Sequence, residues 1–212
     1  HVEDPRLFIY NDELYLSYTD GYQMGQAKIN PDNLKAVESF YLDKPDPSRT
    51  EKNWTFFEDK KKLLAIYDLP SMHIFEMDGA KYKEVNKNAP VTWKYGEIRG
   101  RATPIKVGNK FICFFHSRTT ILQGKYAGYQ YHMGALEFDS KFKITRISSR
   151  PIISGEMMND KIPRLSNKIF VVFPCGVIRT ENGFNVSFGY NDYEPRYVNV
   201  SDELLNDTLI EL

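Results

Sequence analysis

Apolar and polar positions alternate through most of this chain in short runs. The runs are separated by clusters rich in Asn, Asp, Gly and Lys. One arrangement recurs four times: a polar cluster, a short apolar strand, a tight turn, a second apolar strand and a polar ending. The copies are "EDPRLFIYNDELYLSYTD", "EKNWTFFEDKKKLLAIYD", "GRATPIKVGNKFICFFHS" and "VVFPCGVIRTENGFNVSFGYND". Their turns, "YNDE", "EDKK", "VGNK" and "TENG", supply residues that hairpins need where φ becomes positive, Asn182-Gly183 being the strongest signal.

The repeat is regular. Asp4 and Asn53 are 53 − 4 = 49 residues apart, and Asn53 and Thr103 are 103 − 53 = 50 apart. A hairpin repeat of about 40 to 50 residues is the mark of a β-propeller blade, whose faces are buried only when neighbouring blades stack on it. The expected fold is therefore all-β, a single β-propeller domain over residues 1–212 with about four blades recognisable. Outer strands are read in "YHMGALEF" and "KITRIS", and an inserted loop in "SGEMMNDKIPRLSNK", ahead of the fourth copy. The ending "SDELLNDTLIEL" reads either as a helix capped by Ser201 or as a last outer strand and tail.

In a propeller, equivalent positions of successive blades converge on the axis. The first position gives Asp4, Asn53 and Thr103, with Arg6 and Lys52 beside them. The second strands end in Thr19-Asp20, Tyr67-Asp68, His116-Ser117 and Asn191-Asp192. Strand-end polar residues commonly do no more than satisfy backbone groups. Four copies that bring together an acid, an imidazole and basic residues point instead to a site.

Composition narrows the partners. Lys plus Arg and Asp plus Glu both count 28, so no net field gathers nucleic acid or an anionic membrane. Aromatic residues make up 14% of the chain, which suits strand packing and also suits walls on which sugar rings stack. Cys113 and Cys175 sit in apolar strands, which implies a reducing, cytoplasmic setting and no disulfide framework. No apolar run approaches the length of a membrane span, and no signal peptide is visible at the start, which opens on His rather than Met.

In "EDPRLFIYNDELYLSYTD", "EKNWTFFE", "RATPIKVGNKFICFFHS", "YHMGALEFDSKFKITRISSRPII" and "VVFPCGVIRTENGFNVSFGYND", in that order, the chain resembles glycoside hydrolase family 130. These are mannoside phosphorylases and related β-mannosidases built on a five-bladed propeller. The resemblance implies that Asp4 is the catalytic acid, delivering its proton to the glycosidic oxygen through a sugar hydroxyl. It implies sugar or phosphate contacts for Lys52 and Asn53, phosphate-side roles for His116 and Tyr131, and binding of mannose hydroxyls by Asp192. Two departures stand out. Asp68-Leu69-Pro70 replaces the basic triplet that closes the second hairpin in many phosphorylases, and the family has a further blade ahead of "EDPR" that is absent here.

Glycosidic cleavage needs a proton for the leaving oxygen and a nucleophile on the opposite face of the sugar. Phosphate is already an anion, so phosphorolysis calls for cationic donors, for which His116, Lys52, Arg101 and Arg118 are available. Arg99 and Arg101 flank a glycine in "EIRGRATP", a context suited to an anion or to an ordinary polar turn; His73 reads as structural. Hydrolysis would instead need a second carboxylate about 6.5 to 9.5 Å from the acid, for which Asp20, Asp68 and Asp192 are candidates.

The expectation is thus inverting phosphorolysis of a β-mannoside to mannose 1-phosphate. Arg6, Lys52, Asn53 and Asp192 would bind substrate, and Arg101, His116 and Tyr131 would bind phosphate. No metal or organic cofactor is expected, inorganic phosphate being the co-substrate. The alternatives are hydrolysis or mannosyl transfer at the same site, or a propeller that binds a glycan or protein without turnover. Self-association into a homo-oligomer is left open.

Overall fold

The structure is a computed structural model that describes residues 2–123, 126–154 and 168–212. His1, and the expected inserted loop except for its end residues Ser154 and Lys168, lie outside them. The chain divides into two compact units, His1–Ala89 and Pro90–Leu212.

The first unit holds two four-stranded sheets, and within each sheet every strand pairs antiparallel with the next. One sheet is β1 (Glu3–Tyr10), β2 (Glu13–Thr19), β3 (Met24–Ile29) and β4 (Ala36–Tyr41); the other is β5 (Thr55–Asp59), β6 (Lys62–Asp68), β7 (His73–Asp78) and β8 (Lys81–Asn86). Each begins with one copy of the sequence repeat as its two leading strands. The β1–β2 turn closes Tyr10 on Glu13, with Asn11 and Asp12 both at positive φ, as a two-residue hairpin requires. The β5–β6 turn has the same form, but Lys60 and Lys61 take the left-handed positions. Between the sheets Phe8, Met24, Leu42, Trp54, Phe56, Leu63, Ala65, Phe75 and Met77 form one core cluster. Phe8 stacks on Phe56 with ring centroids 5.3 Å apart.

The second unit holds the other two copies. Its larger sheet comprises β9 (Glu97–Arg101), β10 (Ile105–Val107), β11 (Lys110–Gln123), β12 (Tyr126–Asp139), β13 (Ile144–Ser148), β14 (Ile153–Ser154), β15 (Lys168–Phe170) and β19 (Leu209–Glu211). Pro104, with no N–H to donate, lies in the gap between β9 and β10, both of which pair with β11. The smaller sheet is β16 (Val172–Thr180), β17 (Gly183–Tyr190) and β18 (Glu194–Ser201). Ile112, Phe114, Met133 and Ala135 of the larger sheet meet Phe184, Val186, Phe188 and Tyr190 of the smaller in one core.

The structure sharpens two local readings. The fourth hairpin pairs Thr180 with Gly183, so Glu181 and Asn182 are the turn residues and Gly183 is the first residue of β17. Gly183 is required by close packing, because a Cβ there would stand 2.2 Å from the Val200 carbonyl oxygen. The chain end is both helix and strand. Ser201 caps α1 (Asp202–Thr208), accepting from the Leu204 N–H, and β19 then pairs with β13.

The protein is all-β apart from α1 among the described residues, as the alternation predicts. Among these residues no helix is long and apolar enough to cross a membrane.

Candidate functional site

In the first unit the site residues cluster where β1 begins. Glu3 pairs with Thr19 and Arg6 with Ser17, so three steps along β1 match two along β2. The extra residue is a β-bulge at Asp4-Pro5, which accommodates a proline lacking an N–H and turns the Asp4 backbone left-handed, φ 52°. Asp4 is half-buried. Arg6 is buried at 3% exposure and ties the bulge down, Nη1 donating to the Asp4 carbonyl oxygen at 3.3 Å. Its Nη2 donates to Asn53 Oδ1, also at 3.3 Å. Asn53, φ 65°, stands just ahead of β5, next to the exposed Lys52. The structure thus brings Asp4, Arg6 and Asn53 together, with Lys52 adjoining.

Pattern reading overlooked the residue just ahead of Lys52. Glu51 is buried at 3% exposure, and its carboxylate accepts from Trp54 Nε1 at 3.1 Å and from the Tyr67 hydroxyl at 3.3 Å. Burial, followed by the Glu51 charge, raises the Tyr67 pKa. The available signal was an acid three residues ahead of a tryptophan in "EKNW".

Asp20 and Asp68 serve their own turns. Asp20 accepts from the backbone N–H groups of Tyr22 at 2.9 Å and Gln23 at 2.8 Å, and these bonds hold its carboxyl below the usual range. Asp68 accepts from the Ser71 N–H at 3.1 Å and from the Ser71 hydroxyl. His73 packs its ring against Tyr67 and Phe75 and pairs with Glu84 at 2.5 Å.

In the second unit His116 and Tyr131 share one face of the larger sheet. Both are buried, with rings 5.6 Å apart, and Phe173 lies 4.5 Å from the His116 ring. Arg101 is buried too, but its register partner is Phe115, so its backbone position belongs to the opposite face from His116. Its charge acts on the Cys113 thiol, which burial nevertheless pushes up to about 12. Arg118 is engaged with Glu97 at 3.3 Å and lies over the Tyr129 ring.

Asp192 follows β17 at φ 54°, as does Asn191. Asn191 is buried and exchanges bonds with Val171, its N–H donating to the carbonyl and its Oδ1 accepting from the N–H. That clamp sets the exposed Asp192 on the rim of an open cavity of about 330 Å³, lined also by Cys175, Phe188, Tyr193, Glu194 and Pro195. Asp4, Asn53 and Asp192 therefore share one feature, a left-handed backbone at a strand boundary. Non-glycine residues adopt it at a cost of order 1–3 kcal/mol, and this chain also uses it in the hairpin turns at Asn11, Asp12, Lys60 and Lys61.

Comparison with solved structures gives matches along nearly the whole chain. A β-1,2-mannobiose phosphorylase from Listeria innocua, in complex with β-1,2-mannobiose, matches at TM-score 0.66 and 18% identity over 98% of this chain and 60% of that one. A glycosyl hydrolase from Bacteroides ovatus matches at TM-score 0.67 and 11% identity, covering 95% and 65% of the two chains. A third, described with the finding that mannoside phosphorylases of this family include hydrolases targeting β-1,2 mannosidic linkages in Candida mannan, gives TM-score 0.70 and 10% identity over 95% and 66%. These likenesses establish the β-propeller fold class. The chain spans 60% of the length of the Listeria enzyme. No curated protein matches the sequence. A family model described as beta-1,4-mannooligosaccharide phosphorylase matches residues 1–206, and the chain belongs to glycoside hydrolase family 130.

Proposed function

We propose that this protein is an enzyme acting on β-mannosides by inverting phosphorolysis, with residues 1–212 as one functional domain. A phosphate oxygen attacks C1 of the mannosyl unit from the face opposite the glycosidic oxygen. The C1–O bond breaks, and the proton of Asp4 passes through a sugar hydroxyl to the departing oxygen. The products are mannose 1-phosphate of inverted configuration and the shortened acceptor. In this reading Arg6 fixes Asp4 and Asn53, Lys52 and Asn53 contact sugar or phosphate, and Asp192 binds ring hydroxyls. His116 and Tyr131 serve the phosphate, while Arg101, whose strand position belongs to the opposite face of the sheet, stays outside that pair. Inorganic phosphate is the co-substrate, and no organic cofactor is assigned.

The observation that carries phosphorolysis over hydrolysis is the state of Asp20 and Asp68. A hydrolase needs a carboxylate to activate water, and both of these already accept hydrogen bonds within their own turns. Hydrolysis remains the second reading because Asp68-Leu69-Pro70 stands where many phosphorylases carry a basic triplet; Asp192 would then activate the water.

The test is release of mannose 1-phosphate, against free mannose, from β-mannosides of several linkages with and without inorganic phosphate. Phosphate-dependent release, lowered at least about 100-fold in Asp4→Asn, is expected. Phosphate-independent release of mannose establishes hydrolysis instead, and no release from any linkage overturns both readings.

A further inference from the structure

Glu51 carries a buried carboxylate that the reaction does not use. Its position makes it the anchor of the Lys52–Asn53 segment. Both carboxylate oxygens are taken, one by the indole N–H of Trp54, just after the segment, and one by the phenol of Tyr67 on β6. Its backbone is held as well: the Glu51 N–H donates to the Tyr22 carbonyl at 3.0 Å, and the Thr19 hydroxyl donates to the Glu51 carbonyl at 3.0 Å. The two residues between these pins are the exposed Lys52 and the left-handed Asn53. A strained backbone persists where its surroundings over-determine it.

We infer that Glu51 is a positioning residue: bonded to Trp54 and Tyr67, it holds Lys52 and Asn53 in the conformation that meets substrate. This rests on the phosphorolysis reading given above. The role is geometric rather than electrostatic. The indole N–H can only donate, whereas a phenol can donate or accept. A glutamine at this position can therefore keep both bonds, its carbonyl facing Trp54 and its amide N–H₂ facing Tyr67, while an alanine keeps neither.

The experiment compares the parent chain with Glu51→Ala, Glu51→Gln, Lys52→Ala and the Glu51→Ala/Lys52→Ala pair. Phosphate-dependent release from a β-mannoside is measured alongside calorimetric binding of mannose and of inorganic phosphate. Expected is a fall in kcat/KM of about 10- to 100-fold in Glu51→Ala, with Glu51→Gln within about 3-fold of the parent. Introduced into Lys52→Ala, the same Glu51→Ala change costs less than about 2-fold, since neighbouring residues acting through one another are not additive. An equal loss in both backgrounds means that Glu51 only supports the fold, and overturns the inference. So does a Glu51→Gln variant as impaired as Glu51→Ala, which would make the charge the active element.

If Glu51→Ala does not fold, Tyr67→Phe carries the test: it keeps the ring and removes one pin, and a loss confined to the Lys52-containing background is expected. If the parent turns over no β-mannoside, phosphorolysis fails by itself, and calorimetry decides for Glu51. Weaker binding that depends on Lys52 supports the positioning role, and absence of binding by the parent overturns it.

Discussion

The guanidinium of Arg6 and the side-chain amide of Asn53 meet between the start of one sheet and the lead-in to the next, Nη2 donating to Oδ1 at 3.3 Å. The other arm of the same guanidinium, Nη1, holds the carbonyl of Asp4. A single buried planar cation thus couples two left-handed residues 49 positions apart in sequence. An ammonium group is a point charge on a flexible stem and cannot reproduce the fork. Arg6→Lys is expected to fold, to melt at a lower temperature through loss of about 1.5–3 kcal/mol, and to lower turnover by about 100-fold. Thermal melting monitored by circular dichroism and the phosphate-dependent assay check this together; parent-like values in both would remove Arg6 from the site.

Glu137 concerns stability and acid rather than catalysis. Burial works against its ionisation, yet hydrogen bonds from Arg146 and Lys110, both at 2.6 Å, and from Thr145 at 2.7 Å hold its pKa at about 2, against 4.5 for an ordinary glutamate. Because the folded value is the lower one, the stabilisation is present above the unfolded value and lost as the pH falls through the folded value. The window runs from about pH 4.5 down to about pH 2, and the contribution at neutral pH is on the order of 3 kcal/mol. Glu137→Gln should be less stable at pH 7 and show a flatter acid limb across that window in urea unfolding. An acid limb equal to that of the parent would refute the assignment.

Gly183 is a packing position. A methyl group there meets the Val200 carbonyl oxygen at 2.2 Å and the Ser201 Cα at 2.8 Å, neither of which is the flexible end of a side chain. Gly183→Ala is expected to destabilise by about 1–3 kcal/mol through displacement of β18 from β17. Gly108→Ala is the contrasting control, with no atom near its Cβ but φ at 62°. Its smaller loss, of about 1 kcal/mol, would reflect backbone strain alone. Chemical denaturation of the two variants compares a glycine crowded by backbone atoms, itself at φ 158°, with one where only the backbone angle opposes a side chain.

The two thiols should differ in reactivity. Both are free. Cys113 is fully buried, with its thiol pushed up to about 12, so little thiolate is present near neutral pH. Cys175 is half-buried and lies on the wall of the cavity beside Asp192. A thiol-specific reagent at pH 8 should label one cysteine per native chain and the second only on unfolding, with peptide mapping assigning the first to Cys175. Native labelling of Cys113 would contradict the packing of β11.

What the linear sequence determined is what depends on neighbours within a few residues. Alternation and turn chemistry located the four hairpins, because a strand exposes its faces with period two and a two-residue turn demands particular backbone angles. The motifs that begin and end those hairpins carried the family and marked Asp4, Asn53, His116 and Asp192. Where local chemistry is degenerate, the sequence located the turn but not the role of each residue in it. Asn182-Gly183 has the composition of a turn, yet Gly183 answers to the Val200 backbone, a contact 17 residues away that no local pattern reveals.

The tertiary structure alone decided which polar groups hold one another. That Arg6 reaches both Asp4 and Asn53, and that Glu51 is buried against Trp54 and Tyr67, depend on packing within the first unit. Asp68 was legible as an acid at a strand end, but only the folded turn shows it accepting from Ser71. Arg101 was legible as a cation beside a glycine, but only strand register sets it opposite Phe115. Residue type and spacing are written along the chain, whereas the partner that fills a hydrogen-bonding site is chosen by long-range packing.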